Sequence, residues 1–79
     1  MDDVLWNRPA TNIRFADLRR LLASLGFAER IKGSHHIYSR DGIAEILSIQ
    51  PLSGGGAKPY QVKQVRRIVA KYGLKLPER

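Results

Sequence analysis

Two adjacent histidines are the side chains of this sequence best suited to proton transfer near neutral pH. They follow a Lys-Gly-Ser sequence, in the stretch Lys32-Gly33-Ser34-His35-His36. An imidazole titrates near neutrality, so it can take a proton from one oxygen and return it to another. Cleavage of RNA needs both transfers, because the 2′-hydroxyl must lose a proton to attack phosphorus and the 5′ leaving oxygen must gain one. The pair is therefore a candidate catalytic site; the alternative is two strand residues with no catalytic role.

The residues before the histidines could support this reaction. Lys32 could stabilise the charge that develops on the phosphoryl oxygens, and Ser34 offers a hydroxyl and an amide donor. Gly33 would let the backbone approach a substrate closely. These types of residue suit a phosphodiester substrate.

Other kinds of chemistry find little support in the sequence. Consecutive residues of a strand point to opposite faces, so the two histidines are poorly placed to chelate one metal ion. The acidic residues are scattered without the pairing that two-carboxylate catalysis requires. Gly54-Gly55-Gly56 lacks the Gly-Lys-Ser/Thr of a phosphate-binding loop and is interpreted as flexible linkage. The sequence therefore predicts no metal site and no cofactor.

The spacing of hydrophobic residues predicts two helices. Phe15, Leu18, Leu22 and Leu25 recur at helical spacing, and Gly26 closes this first helix as a left-handed cap residue. A second helix is predicted over residues 59–73, with proline at its first position and glycine at its end. Its apolar face consists of Val62, Val65, Ile68, Val69 and Tyr72.

Three strands are predicted between the helices, at residues 27–32, 34–39 and 43–50. Gly33 marks the first turn, and Asp41-Gly42 is a pair favoured in tight hairpin turns. Two close hairpins make an antiparallel three-stranded sheet.

The order α-β-β-β-α predicts an α+β domain in which both helices lie on one face of the sheet. A loop with two prolines and three glycines, residues 51–59, leads into the second helix. The expected core consists of Leu18, Leu22, Leu25, Phe27, Ile37, Val65 and Ile68.

The charge distribution points to a polyanionic partner. The formal net charge is +7 at pH 7, and half of the 14 Lys and Arg residues lie in residues 58–79, where Glu78 is the one acid. Such a basic segment is typical of nucleic-acid binding, and it also suits an acidic protein partner or a solubilising surface. Lys63, Arg67 and Lys71 recur every four residues along one side of the second helix, with Arg66 nearby.

Length and composition indicate one globular domain. The chain has 79 residues, of which 43% are hydrophobic. It contains no cysteine, which excludes disulfides and thiolate metal sites and fits a reducing compartment. Its apolar runs are shorter than the roughly 18 residues of a membrane span, and its acidic start lacks the hydrophobic region of a secretory signal. We therefore expect a cytoplasmic protein.

The sequence resembles the HicA family of bacterial toxins, the mRNA interferases of HicA–HicB toxin–antitoxin pairs. The resemblance runs from about Ile13 to Leu74. It is carried by Phe15-Ala16-Asp17-Leu18, Leu25-Gly26-Phe27, Lys32-Gly33-Ser34-His35-His36-Ile37-Tyr38 and Lys58-Pro59-Tyr60-Gln61-Val62 leading into Val65-Arg66. The predicted order of elements matches the double-stranded-RNA-binding-like fold of that family. The chain then divides into an N-terminal arm (1–12), a HicA-like RNA-binding and ribonuclease domain (13–76) and a C-terminal tail (77–79).

The resemblance implies a metal-independent endoribonuclease that cleaves mRNA, inhibits translation and is restrained by a HicB-like antitoxin. The free toxin is expected to be a monomer. The functional histidine of the family follows the Gly-Ser pair, which gives His35 as the catalytic residue, His36 as the second candidate, and Ser34 and Lys32 as supporting groups. The expected RNA-binding residues are Lys32, Lys58, Lys63, Arg66, Arg67 and Lys71.

Consecutive residues of a strand point to opposite faces of the sheet, so the two histidines must lie on opposite faces. If Ile37 faces the helices, His35 lies on the helix side, and His36 and Tyr38 lie on the open face. The open face, with Tyr38 and Ile46, and the basic surface are then the expected docking areas for the antitoxin.

Two further functions fit the same fold and charge. The chain could be a non-catalytic module that binds double-stranded RNA by its shape and phosphates, or a DNA-binding accessory protein. The histidine pair favours catalysis, because Lys or Arg would serve phosphate binding better.

Overall fold

The computed structural model describes residues 6–76 and has the order α-β-β-β-α. The elements are α1 (Phe15–Ser24), β1 (Ala28–Lys32), β2 (His35–Ser39), β3 (Leu47–Ile49) and α2 (Pro59–Tyr72). The strands lie in the order β1-β2-β3, and both pairings are antiparallel. The predicted α+β class is therefore confirmed. The predicted C-terminal tail, residues 77–79, and residues 1–5 of the predicted arm lie outside the described residues.

Helix α1 begins without a capping side chain because the glycine loop caps it instead. Arg14 stands at the N-cap position and makes no side-chain capping bond. The backbone N–H of Phe15 donates to the carbonyl oxygen of Gly55 at 3.0 Å, and Ala57 N–H donates to Ile13 O at 2.8 Å. The first bond satisfies a donor that the start of a helix leaves without an intrahelical partner, and the second ties the loop to the residue before the N-cap. The prediction of a flexible glycine linkage was wrong, since the loop is fastened to the start of α1.

Both ends of helix α2 agree with the sequence. Pro59 is its first residue, where the missing N–H costs no hydrogen bond. Gly73 ends it in the left-handed region, with φ 61°, and its N–H donates to the carbonyl of Ala70.

The two helices cover the sheet face that carries Tyr38, Leu47 and Ile49. These three side chains join the apolar faces of α1 and α2 in one core. Ile37, which was predicted in this core, is half-buried on the opposite face, and Tyr38, which was predicted to be exposed, is 1% exposed. The side chains of β2 therefore point to the opposite faces from those assumed in the sequence analysis. Tyr38 buries the larger apolar surface, and its hydroxyl finds an acceptor in Glu29.

The turn between β1 and β2 is a two-residue loop. Lys32 pairs with His35, so Gly33 and Ser34 alone connect the strands. Gly33 has φ 61°, a left-handed conformation that favours glycine, and Gly at the first central position suits a tight hairpin. The third strand is shorter than the predicted range, residues 43–50, because pairing with β2 covers only Leu47–Ile49.

Part of the segment before α1 packs onto the domain. Ala10–Asn12 form a short 3-10 helix in which Ala10 is buried, and Ile13 is buried after it. Arg66 of α2 donates from Nη2 to the carbonyl oxygen of Arg8 at 2.5 Å. This stretch is thus tied to helix α2.

Candidate active site on the open sheet face

The strand register places His35 and Lys32 side by side on the open face of the sheet. The two residues are directly paired across β1 and β2, and both are exposed. Directly opposite residues of an antiparallel pair have their Cβ atoms about 4.5–5.5 Å apart. Ser34, from the turn, completes the group at the end of the hairpin. The predicted catalytic residue and its two supporting residues therefore lie together, on the face that the helices do not cover.

Gln50, just after β3, connects His35 to the rest of this site. Its side-chain Nε2 lies 3.1 Å from Nε2 of His35 and donates to Oγ of Ser34 at 3.2 Å. On the other side of the ring, Oγ of Ser48 lies 3.4 Å from Nδ1 of His35. Both nitrogens of the imidazole are thus in contact with neutral polar side chains of β3 and its extension.

Lys58 brings a second positive charge to the site. Its Nζ donates to Oε1 of Gln50 at 2.9 Å, and the residue is half-buried at the N-cap position of α2. The backbone N–H of Gln50 donates to Oε1 of the buried Gln61 at 3.0 Å, which fixes Gln50 against α2. Lys32 is paired with His35 across the strands and Lys58 holds Gln50, so two cations belong to this part of the surface, where each could stabilise charge on a phosphoryl oxygen.

His36 lies on the other side of the sheet, against the helices. Its ring meets Phe15 edge-on with centroids 4.9 Å apart, and the side chain is 14% exposed. Nδ1 of His36 lies 3.2 Å from Oε2 of Glu29, and since a carboxylate only accepts, Nδ1 carries the proton. The assumption that put His35 on the helix side and His36 on the open face was wrong, because the side chains of β2 point to the opposite faces.

Glu29 is the centre of a cluster that joins α1, β1 and β2. Arg19 donates to both of its carboxylate oxygens, each at 2.9 Å, and the hydroxyl of Tyr38 also donates to it. The bonds from Arg19, and then from Tyr38, lower the pKa of Glu29 from 4.5 to about 2. Burial, and then the bond to Glu29, raises the pKa of Tyr38 to about 12. The ion pair and hydrogen bonds of this cluster therefore join α1, β1 and β2.

A cavity of about 360 Å³ opens beside this cluster. Its lining consists of Ala16, Arg19, Arg20, Ala23, Glu29 and Tyr38. His35 lies on the open sheet instead, a surface on which a long polymer can lie without entering a pocket.

The predicted RNA-binding residues of α2 differ in their surroundings. Lys63 and Arg67 are exposed, whereas Nζ of Lys71 forms an ion pair with Glu45 at 2.8 Å. Arg66 is half-buried and holds the carbonyl of Arg8. All four lie on a helix that packs against the far face of the sheet from His35, while Lys32 is paired with His35 and Lys58 contacts Gln50.

Gln50, Ser48 and Arg30 also belong to this site, although they were not predicted from the sequence. Arg30 pairs with Ile37 and so shares the open face with His35. Leu47-Ser48-Ile49-Gln50 alternates apolar and polar residues, which already indicated that Ser48 and Gln50 share a face. The register that sets them beside His35 depends on the length of the second connection, and the sequence did not reveal that length.

Residues 6–76, which the structure describes, offer neither a metal-binding group nor a membrane-spanning helix. That part of the chain contains no group of three or more His, Cys, Asp or Glu side chains that could hold a metal ion. Nor does any of its helices combine the length and apolar character needed to cross a membrane.

The comparisons with known proteins identify one family. The family described as HicA toxin of bacterial toxin-antitoxin matches residues 15–74, from the first residue of α1 to just beyond α2. No curated protein and no solved structure gave a significant match.

Proposed function

Because the chain belongs to the HicA family of bacterial toxins, we propose that it is an mRNA interferase, a metal-independent endoribonuclease that cleaves mRNA and so inhibits translation. The observation that carries this proposal is the group on the open sheet face, where an exposed imidazole is paired across the strands with Lys32 and contacts Gln50, which Lys58 and Ser34 also contact. A proton-transfer group accompanied by cations suits phosphodiester cleavage.

Each member of the group has a role in the proposed reaction. His35 takes the proton of the 2′-hydroxyl as that oxygen attacks phosphorus, and a proton is then returned to the 5′ oxygen as the P–O bond breaks. Lys32 and Lys58 stabilise the phosphoryl oxygens on which negative charge develops. Ser34, with a hydroxyl already oriented by Gln50 at 3.2 Å, offers a hydrogen bond to the phosphate.

Two exposed apolar side chains close in sequence to the site could contact the bases that flank the cleaved bond. Tyr60 follows Lys58 by two residues and is 63% exposed, and Leu52 follows Gln50 by two residues and is 44% exposed. Single-stranded RNA is held largely by stacking of unpaired bases on aromatic side chains, together with cations along the backbone. We therefore assign single-stranded mRNA as the substrate.

A toxin of a toxin–antitoxin pair has a cognate antitoxin as its partner. We propose that this partner is a HicB-like protein that covers the open sheet face and thereby occludes His35, and that the free toxin is a monomer in the cytoplasm. Ile46, at 66% exposure, remains a docking residue in this proposal, whereas the buried Tyr38 no longer does.

Induction of the chain in cells, followed by transcript analysis, tests the proposed function. We expect growth arrest, and cleavage of purified transcripts by the isolated protein should persist in the presence of a chelator. If transcripts stay intact while the protein binds duplex RNA, the chain is a binding module and not a nuclease. Co-expression of a HicB-like protein encoded beside it should restore growth.

A further inference from the structure

The amide of Gln50 lies between a cation and the proposed catalytic imidazole. We propose that Gln50, oriented by Lys58, is a positioning residue that keeps neutral His35 protonated at Nδ1 and leaves the lone pair on Nε2. The catalytic part of this inference rests on the proposed function, while the hydrogen-bonding part concerns the free protein.

Lys58 fixes which way the amide of Gln50 points. The ammonium group of lysine only donates hydrogen bonds, so the atom 2.9 Å from Nζ must be the amide oxygen, Oε1. The reversed amide would set an NH₂ group against an NH₃⁺ group. Because the two ends of an amide are fixed relative to each other, the NH₂ group of Gln50 must face Ser34 and His35.

The backbone of Gln50 is also held by a hydrogen bond. Its N–H donates to Oε1 of Gln61, which is 5% exposed and lies in the first turn of α2. Ser34 accepts one hydrogen of the Gln50 amide at 3.2 Å, which leaves the other hydrogen for His35. Gln50 is therefore held at three points before it meets the imidazole.

The amide of Gln50 then determines the tautomer of His35. An N–H donor 3.1 Å from Nε2 requires that Nε2 be the acceptor, so the neutral ring carries its proton on Nδ1. Oγ of Ser48, 3.4 Å from Nδ1, can accept the hydrogen bond from Nδ1–H because its hydroxyl hydrogen rotates to suit its neighbour. Ser48 is compatible with either tautomer, and so the choice rests with Gln50 and Lys58.

This arrangement matters for catalysis because a base must present a lone pair toward the substrate. When the 2′-hydroxyl binds, it replaces one hydrogen bond of the Gln50 amide at Nε2, and the bond from that amide to Ser34 can remain. A ring protonated at Nε2 could not accept the proton. Loss of the correct tautomer can cost about as much as loss of the base itself.

NMR of the imidazole nitrogens tests the tautomer directly. The chain is purified with ¹⁵N-labelled histidine and measured at alkaline pH, where neutral imidazole predominates. His35→Ala identifies which of the two histidine signals belongs to position 35. We expect Nε2 of His35 to show the nitrogen shift of an unprotonated atom and Nδ1 that of a protonated atom.

Gln50→Glu is the informative variant, because it keeps the size of the side chain and its bond to Lys58. A carboxylate accepts from every direction, so it should move the proton of His35 to Nε2. The kcat for RNA cleavage should fall by about 10²- to 10⁴-fold, and KM should change much less. Gln64→Glu, a half-buried position elsewhere on α2, introduces the same charge and should change neither the tautomer nor kcat.

The outcomes separate this inference from the proposed function. A wild-type His35 protonated at Nε2, or a Gln50→Glu protein with an unchanged tautomer, would overturn the inference even if RNA is cleaved. The expected tautomers in a protein that never cleaves RNA would support the positioning by Gln50 and reject the nuclease. If Gln50→Glu and Gln64→Glu lowered kcat equally, the added charge alone would be responsible for the loss. That result would also overturn the inference.

Discussion

At the scale of single residues, the two adjacent imidazoles have opposite surroundings. His36 is packed against Phe15 and bonded to Glu29, so its proton is held by a carboxylate whose pKa is lowered to about 2. His35 is exposed and contacts only neutral side chains, among the contacts that the structure describes for it. The half-buried ring can support the fold, and the exposed ring is accessible, as the proposed proton transfer requires.

His36→Ala should lower stability more than it lowers activity. It removes the contact with Phe15 and one hydrogen bond to Glu29, which together contribute about 1–2 kcal/mol. Urea unfolding should therefore show an earlier midpoint, while the folded protein still cleaves RNA near the wild-type rate. A fully folded His36→Ala protein without cleavage would move the catalytic role from His35 to His36.

At the scale of elements, the Glu29 cluster links α1, β1 and β2. The folded pKa of Glu29 is depressed from 4.5 to about 2, so its ionised form favours the folded state. This contribution is fully present above about pH 4.5 and is lost as the pH falls toward 2. Tyr38 acts in the opposite sense, since its raised pKa, about 12, favours the folded state until the pH rises past 10 toward 12.

Glu29→Gln should reduce the acid-dependent part of stability, to which Glu45, whose pKa the bonds from Lys71 and Tyr72 lower to about 2, also contributes. Urea midpoints measured from pH 2 to pH 7 should rise with pH in the wild type through the window between about 2 and 4.5. The variant should show a flatter profile and a lower midpoint at neutral pH. Asp41→Asn, at an exposed turn position, is the matched control and should keep the wild-type slope. Equal slopes for wild type and Glu29→Gln would refute the role of this cluster.

Gly33→Val should destabilise the hairpin that presents His35. A Cβ at Gly33 would meet nothing within 4 Å, so the cost comes from φ 61° alone and not from a clash. A left-handed conformation costs a β-branched residue about 1–3 kcal/mol. Thermal unfolding should show this loss, whereas Ser39→Val, an exposed position at the other end of β2, should be nearly neutral. An unaltered midpoint for Gly33→Val would contradict the strained turn.

The bounds of α2 could be predicted because its end signals are local. Pro59 and Gly73 mark the ends of α2 without reference to the rest of the chain. The face of β2 could not be predicted in the same way, because Ile37 and Tyr38 are both suited to a core. That choice depends on Glu29, whose carboxylate receives the Tyr38 hydroxyl from the neighbouring strand. The contact between Gln50 and His35 likewise depends on a register set across the sheet.

At the scale of the whole molecule, basic residues at two separate places could contact RNA. Arg30 and Lys32 share the open sheet face with His35, Lys58 contacts Gln50 beside it, and Lys63 and Arg67 are exposed on α2. An RNA chain that is cut at His35 must therefore extend past the edge of the sheet to contact Lys63 and Arg67.

The double variant Lys63→Ala, Arg67→Ala should weaken RNA binding without regard to sequence. Removing one cation from a phosphate lowers the slope of log K against log salt by about 0.7 for single strands, so we expect a reduction of about 1 to 1.5. Lys71→Ala is the matched control, because Lys71 is already paired with Glu45 and should contribute less. Binding titrations at several salt concentrations measure this. An unchanged slope in the double variant would assign these residues to the antitoxin or to solubility.

The most direct test of the proposed mechanism is the rate of transcript cleavage by purified His35→Ala protein, compared with wild type and His36→Ala under the same conditions. We expect a loss of about 10²- to 10⁴-fold for His35→Ala, with an unchanged circular dichroism spectrum and nearly unchanged RNA binding, because the exposed imidazole supplies proton transfer and not core volume. A folded His35→Ala protein that cleaves RNA at the wild-type rate would contradict the proposed mechanism.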